Sequence, residues 1–176
     1  MANTYTLINS QILTASAASV TLSNIPSIYT DLVLKMSART DRAAYVDTVA
    51  VRFNASSGAT NTYINMYGDS TGAVSTTLGN STSNIIGYAS GTSTTSNIFA
   101  SSDAYINNYT STTLNKSYEM SYAIENNSST QSQAFVGCLA GLWADTSAIT
   151  SIVLTPGYGT NFISGTYFQL YGIKNS

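Results

Sequence analysis

The chain contains no histidine, and only one cysteine, one tryptophan and two prolines in 176 residues. The missing histidine removes the Ser-His-Asp and Cys-His nucleophile systems, imidazole metal sites and imidazole acid–base chemistry together. A lone cysteine, Cys138, cannot close an internal disulfide. Its place in an apolar run predicts a buried, inert small hydrophobe. Charge is equally scarce, at 8% of residues against about 25% in an average soluble domain. The formal net charge is −2, and half of the charges fall between Asp31 and Arg52 with alternating sign. That pattern predicts salt bridges rather than a phosphate-binding stripe, so no nucleic-acid partner is expected. No window approaches eighteen continuous apolar residues, so no membrane-spanning helix is expected. Met1 to Ser10 carries neither a basic start nor a long apolar run, and no signal peptide is expected.

What remains is polar without charge. Serine, threonine and asparagine dominate, and thirteen tyrosines stand among them. Neutral hydroxyls and amides cost less to desolvate than charges, and little electrostatic repulsion keeps copies apart. Such a surface favours an assembly protein over a freely circulating enzyme.

The apolar pattern has period two. Asp31 to Arg39 alternates cleanly, with Leu32, Leu34, Met36 and Ala38 on one side. Val49, Val51 and Phe53 alternate around Arg52. Lys116 to Ile124 sets Tyr118, Met120, Tyr122 and Ile124 against Ser117, Glu119, Ser121 and Ala123. Thr4 to Thr14, Val20 to Ile25, Tyr63 to Tyr67 and Asn97 to Asn107 complete the earlier strands. The densest stretch is Gly137 to Ile173. Around Phe135 to Trp143 both parities are apolar, which predicts a strand buried on both faces. Ile149 to Thr155 and Thr166 to Ile173 follow as consecutive antiparallel strands, separated by Pro156-Gly157. Gly68 to Thr95 reads as long loops around one strand at Ile85 to Tyr88. Ala55 to Thr60 reads as a loop and Asn126 to Ser132 as a polar turn. About ten short strands with regular turn signals predict one all-β domain over residues 1–176, an antiparallel β-sandwich in the form of a jelly roll. An immunoglobulin-like sandwich fits less well, because the Cys–Trp–Cys spacing is absent.

Candidate chemistry is thin. Glu119 and Glu125 share parity but would stand roughly 20 Å apart on an extended strand, too far for paired-carboxylate hydrolysis. Asp41 and Asp47 flank a loop, but Arg39 and Arg42 in the same segment oppose a cation and favour ion pairing. Gly157-Tyr158-Gly159 lacks the third glycine and the helix of a dinucleotide fingerprint. Asn-x-Ser/Thr triplets, as at Asn54 and Asn115, arise by chance in so Ser/Thr-rich a chain. No catalytic residue, metal or cofactor is expected. Tyrosine in Ser/Gly/Asn-rich loops does match the composition of adaptable binding surfaces. Tyr67, Tyr88, Tyr109 and Tyr158 are the candidate interface or glycan contacts on that ground. Tyrosine is also simply a good strand residue with a polar tip.

Several stretches together carry a resemblance. They are Tyr5-Thr6-Leu7-Ile8, ASVTLSNIPSIYTDLVLKMSART (Ala18 to Thr40), VRFNASSGATNTYINMYGDST (Val51 to Thr71), INNYTSTTLNKS (Ile106 to Ser117) and GLWADTSAITSIVLTPGYGTNFISGTYFQLYGIK (Gly141 to Lys174). In these the chain resembles a domain of small virion and tail-fibre proteins of tailed bacteriophages, with Gly72 to Asn97 matching least. The resemblance implies a structural component of the particle, located on the virion, and brings no catalytic motif. No coiled-coil or collagen-like shaft is present, so a capsid decoration (cement) protein is the first expectation. It would be a homotrimer at three-fold positions, bound to the major capsid protein. A short tail fibre or receptor-binding tip gripping host surface glycans through the loop tyrosines is the second. An enzyme such as a depolymerase is not expected.

Overall fold

The computed structural model describes residues 5–58, 61–69, 72–81, 83–127 and 133–174, with the backbone alone for 73–81. The period-two pattern becomes two antiparallel sheets, and no helix occurs among the described residues. Twelve strands follow in order: β1 Tyr5–Ile12, β2 Val20–Leu22, β3 Asp31–Ala38, β4 Val46–Phe53, β5 Asn61–Asp69, β6 Gly72–Ser81, β7 Asn84–Ser90, β8 Ala100–Ile106, β9 Lys116–Ile124, β10 Phe135–Trp143, β11 Ile152–Pro156 and β12 Tyr167–Ile173. The larger sheet has eight strands in the order β1-β12-β3-β8-β9-β10-β5-β6, and the smaller has four, β2-β11-β4-β7.

The all-β sandwich architecture agrees with the sequence reading. Two hairpins, β5–β6 and β9–β10, enlarge one sheet. With them set aside the strands fall into β1-β12-β3-β8 and β2-β11-β4-β7, the interleaving expected of a jelly roll. The sheets themselves are unequal, with eight strands against four. The stretch from 68 to 95 is a correction. Instead of loops around one strand it supplies the end of β5, all of β6 and β7. Ser and Thr in β6 hide the strand pattern, although Asp69 pairs with Gly72 and Tyr67 with Val74 across the hairpin. The last three strands are consecutive in sequence but not in space. β11 leaves for the smaller sheet, while β10 and β12 lie four places apart in the larger one. The predicted loop at Ala55 to Thr60 and turn at Asn126 to Ser132 lie partly outside the described residues.

One parity of the strands between the sheet edges builds most of the core. Leu32, Leu34 and Met36 of β3, Met120 and Ile124 of β9, and Leu139 of β10 meet Leu22, Val49, Val51, Phe53, Ile86, Ile152 and Leu154 of the smaller sheet, all buried. Phe53 lies 5.4 Å from the Trp143 ring and 6.0 Å from that of Tyr118.

β10 carries glycine at the two inward positions flanking Leu139, and the pairing explains why. Gly137 stands opposite Tyr122 and Gly141 opposite Tyr118. A β-carbon on Gly137 would lie 2.6 Å from the Tyr122 ring, and one on Gly141 2.1 Å from that of Tyr118. The rings therefore lie across β10, in space that any side chain there would fill. From that position the Tyr118 hydroxyl donates to the Ile85 carbonyl of the opposite sheet at 2.6 Å. Gly141→Ala is expected to displace Tyr118 and destabilise the fold by about 1–3 kcal/mol. Ala140→Ser, on the other face, is expected to stay within about 0.5 kcal/mol. Urea unfolding of both variants checks this.

Candidate functional site: the outer face of the larger sheet

The second parity of the larger sheet packs against no other layer among the described residues. β10 shows this most plainly and corrects the expectation of a strand buried on both sides. Phe135, Leu139 and Trp143 turn inward, whereas Val136 is 64% exposed and Cys138 is exposed too. β10 is central in its sheet, between β9 and β5, but a central strand is covered on both faces only if layers lie on both. Here the smaller sheet covers one. Cys138 is therefore a surface thiol and not a core residue.

Cross-strand register lays out this face. At the level of Cys138 the outward residues run Ser10, Gln169, Lys35, Asp103, Ser121, Cys138 and Met66 from β1 to β5. Three zones result. β1 and β12 expose Tyr5, Leu7, Ile12 and Tyr167. A polar strip follows on β3, β8 and β9. Within it Lys35 Nζ donates to Asp103 Oδ2 at 2.7 Å, and this hydrogen bond raises the lysine pKa. The Tyr105 hydroxyl donates to Asp31 at 2.8 Å. Burial, then this bond, push the phenol up to about 12. The third zone is apolar again, with Ala123, Val136, Cys138, Ala140, Ile64 and Met66 as neighbours across β9, β10 and β5. Ile64 is 50% and Met66 56% exposed. Shallow depressions of about 370 Å³ and 280 Å³ run along the polar strip, the second reaching Val136 and Gly137.

The four candidate tyrosines do not share one surface. Tyr109 is 1% exposed, and its hydroxyl donates to the Pro26 carbonyl. It is a core residue, because the connector that carries it folds under the sandwich, where the Tyr109 carbonyl accepts from Ile149 N–H. Tyr67 and Tyr88 lie in strands β5 and β7 rather than loops, and they do meet. With Val46, Tyr122 and Phe135 they line a cavity of about 230 Å³. Tyr88 stacks on Tyr122 with ring centroids 4.0 Å apart. Asn65 ties both hydroxyls, donating to Tyr88 at 3.0 Å and accepting from Tyr122 at 3.2 Å. That cavity is apolar and below the roughly 300 Å³ of ordinary ligand sites. Only Tyr158 is open, 72% exposed, with the Arg42 guanidinium 4.2 Å over its ring.

The loop that carries Tyr158 is held by the two acids of the charged segment. Asp47, fully buried, accepts from the N–H groups of Tyr158 at 3.0 Å and Gly159 at 2.9 Å, and from the Thr40 hydroxyl. Asp41 accepts from Thr160 N–H at 2.7 Å and from Asn161 N–H and side chain at 3.0 Å. The Asn161 amide, as the largest influence, lowers the Asp41 pKa. The expected ion pairing is thus secondary. Arg42 reaches only 3.9 Å from Asp47, while Arg39 turns to Thr94 and the carbonyls of Thr95 and Ile98. No metal-ligating group of three exists among the described residues. Glu119 stands on the outer face, and Glu125 follows the end of β9.

Lys116 went unread in the sequence. It begins β9 on the buried parity and is fully buried. Its Nζ donates to the carbonyls of Leu114 at 2.6 Å and Thr146 at 3.1 Å. Burial lowers its pKa. Its place two residues before Tyr118 in a strict alternation was the available signal.

No family model matches the chain, and no curated protein matches it. Solved structures show slight similarity, and two of them illustrate it. One is an engineered GH43 glycoside hydrolase with endo-xylanase and exo-arabinofuranosidase activity, at 12% identity and a TM-score of 0.33. The match covers 96% of this chain and 36% of that enzyme, so the chain spans about a third of its length. The other is a protein of unknown function from Shewanella oneidensis MR-1, at 7% identity and a TM-score of 0.20, covering 100% and 82%. At these scores neither carries an argument about activity.

Burial raises the pKa of Tyr63, Tyr88, Tyr105, Tyr109, Tyr118 and Tyr122 above the ordinary 10.0. In the folded chain these phenols keep their protons where the unfolded chain has lost them. Their contribution to stability is complete below about pH 10 and falls as pH rises beyond it. Lys116 and Arg39, whose pKa values burial lowers, act in the opposite sense, while Lys35 acts with the tyrosines. The urea midpoint is expected to drop between pH 9 and pH 11, with the absorbance of these six phenolates appearing together with unfolding.

Proposed function

We propose that this chain is a structural protein of a tailed-bacteriophage particle, a capsid decoration protein on the outer surface of the shell. The observation that carries the reading is the outer face of the larger sheet. β9, β10 and β5 each turn four positions outward, and Glu119 alone among them is charged. A contiguous apolar patch rimmed by polar groups is the mark of a protein-binding surface. The resemblance of the long stretches to small virion proteins points to the same role. Binding to the assembled shell, and not to its free subunits, would stabilise the shell by mass action. The charge-poor, hydroxyl-rich surface suits dense packing beside identical neighbours.

The receptor-binding reading keeps one support, the exposed Tyr158 stacked under Arg42 on a loop fixed by Asp41 and Asp47. A planar aromatic face on a rigid loop is the geometry that stacks on a sugar ring. The two readings separate on copy number per particle, measured by quantitative mass spectrometry against the major capsid protein. Decoration predicts a ratio equal to that of the capsid protein or a simple fraction of it. A ratio at the level of tail components contradicts decoration and favours the receptor-binding role.

A further inference from the structure

We infer that the aromatic cavity between Tyr67, Tyr88, Tyr122 and Phe135 binds a small quaternary ammonium group, of the choline type and with no phosphate beside it. The inference is independent of the decoration reading.

Both sheets build the cavity. Tyr88 comes from β7, the edge strand of the smaller sheet, while Tyr67, Tyr122 and Phe135 come from three adjacent strands of the larger one. Val46 is the one lining residue without a ring. The volume of about 230 Å³ is small for a drug-sized ligand and suited to a single compact group. Packing fixes the rings before any ligand arrives. Tyr122 lies over Gly137, where a β-carbon would come within 2.6 Å of it. Asn65 engages the hydroxyls of Tyr88 and Tyr122. Tyr67 meets Phe135 edge to face at 5.8 Å. Ring surface therefore dominates the lining. The face of an aromatic ring is negative and attracts a cation taken out of water, which is how aromatic cages hold quaternary ammonium groups. Such a group also has no N–H to leave unpaired in an apolar space.

The surrounding charge separates this ligand from a neutral one. Asp69 follows Tyr67 by two positions on β5 and so shares its side of the strand. The pairing of Val136 with Gly68 sets Asp69 level with Phe135. Asp69 and Glu125 both line an adjoining depression of about 370 Å³ that shares Phe135 with the cavity. Arg42 donates to the Val46 carbonyl but is held over Tyr158. Among the described residues no cation lines either space. Two carboxylates beside the rings favour a cation and oppose an anion attached to it.

Proton NMR titration of the full chain with choline chloride, at constant ionic strength, tests this. Dimethylbutanol serves as the uncharged carbon isostere, and phosphocholine as the form a lipid headgroup carries. Choline is expected to bind saturably, with its N-methyl signal moved upfield by the rings. The isostere and phosphocholine are each expected to bind at least about tenfold more weakly. Asp69→Asn is expected to weaken choline binding about threefold. Tyr67→Phe is expected to keep binding and Tyr67→Leu to abolish it, with thermal melting as the check that each variant folds. The comparison of the three ligands needs only the native chain, so it decides even if Tyr67→Leu fails to fold. A folded native chain that does not bind choline overturns the inference. Dimethylbutanol or phosphocholine binding as tightly as choline also overturns it, as does choline binding untouched in a folded Tyr67→Leu variant. None of these results bears on copy number per particle, so the decoration reading fails or stands separately.

Discussion

Alternation of side chains across a strand is the constraint on which this structure depends. Each strand has two faces, and a chain of this composition must cover one of them with apolar packing. The four-stranded sheet supplies that cover for the inner parity of the eight-stranded one. The trio of Phe53, Tyr118 and Trp143 marks where the two layers meet. The tyrosines of β9 extend the same solution. They lie over the glycines of β10 and reach across to β7 and β5 through their hydroxyls. The outer parity has no such layer among the described residues. Its character is therefore a property of surface, and the apolar zone around Val136 and Met66 is the feature that the fold itself does not use.

The polar groups follow the same economy. With so few charges, the buried ones are matched mainly to backbone groups and hydroxyls, and Arg42 comes only to 3.9 Å from Asp47. Asp47 and Asp41 hold four successive N–H groups, from Tyr158 to Asn161. Lys116 does the converse, gathering carbonyls at the entry to β9. Arg39 likewise turns to a hydroxyl and three carbonyls between Thr94 and Ile98. Such bonds fix loops without requiring a charged partner, and they leave the exterior nearly neutral.

Much of the fold was legible because the inner parity is strongly apolar. β3, β4 and β9 were readable to within two residues, down to which side faces the core. β6 was not, since its Ser, Thr and Gly carry no period-two contrast. β10 misled for the opposite reason. Both of its parities are apolar, and sequence alone does not tell a strand between two layers from one with an unused sticky face. The candidate site was legible only in outline. Tyrosine enrichment pointed to binding, but most of these rings are structural. Tyr109 closes the core, Tyr88 and Tyr122 share Asn65, and of the four candidates Tyr158 alone stands open. The feature that now leads was present in the sequence as Val136, Cys138 and Ala140, read there as core.

The account stands or falls on whether that outer parity is covered when the protein is assembled. Cys138 reports on it directly, as the only thiol in the chain. Its alkylation rate is best compared between the protein on intact particles and the free chain at high dilution. Coverage predicts a fast reaction in the dilute chain and a markedly slower one on the particle. Equal rates would show that the face stays open in the assembly, and would contradict the central claim.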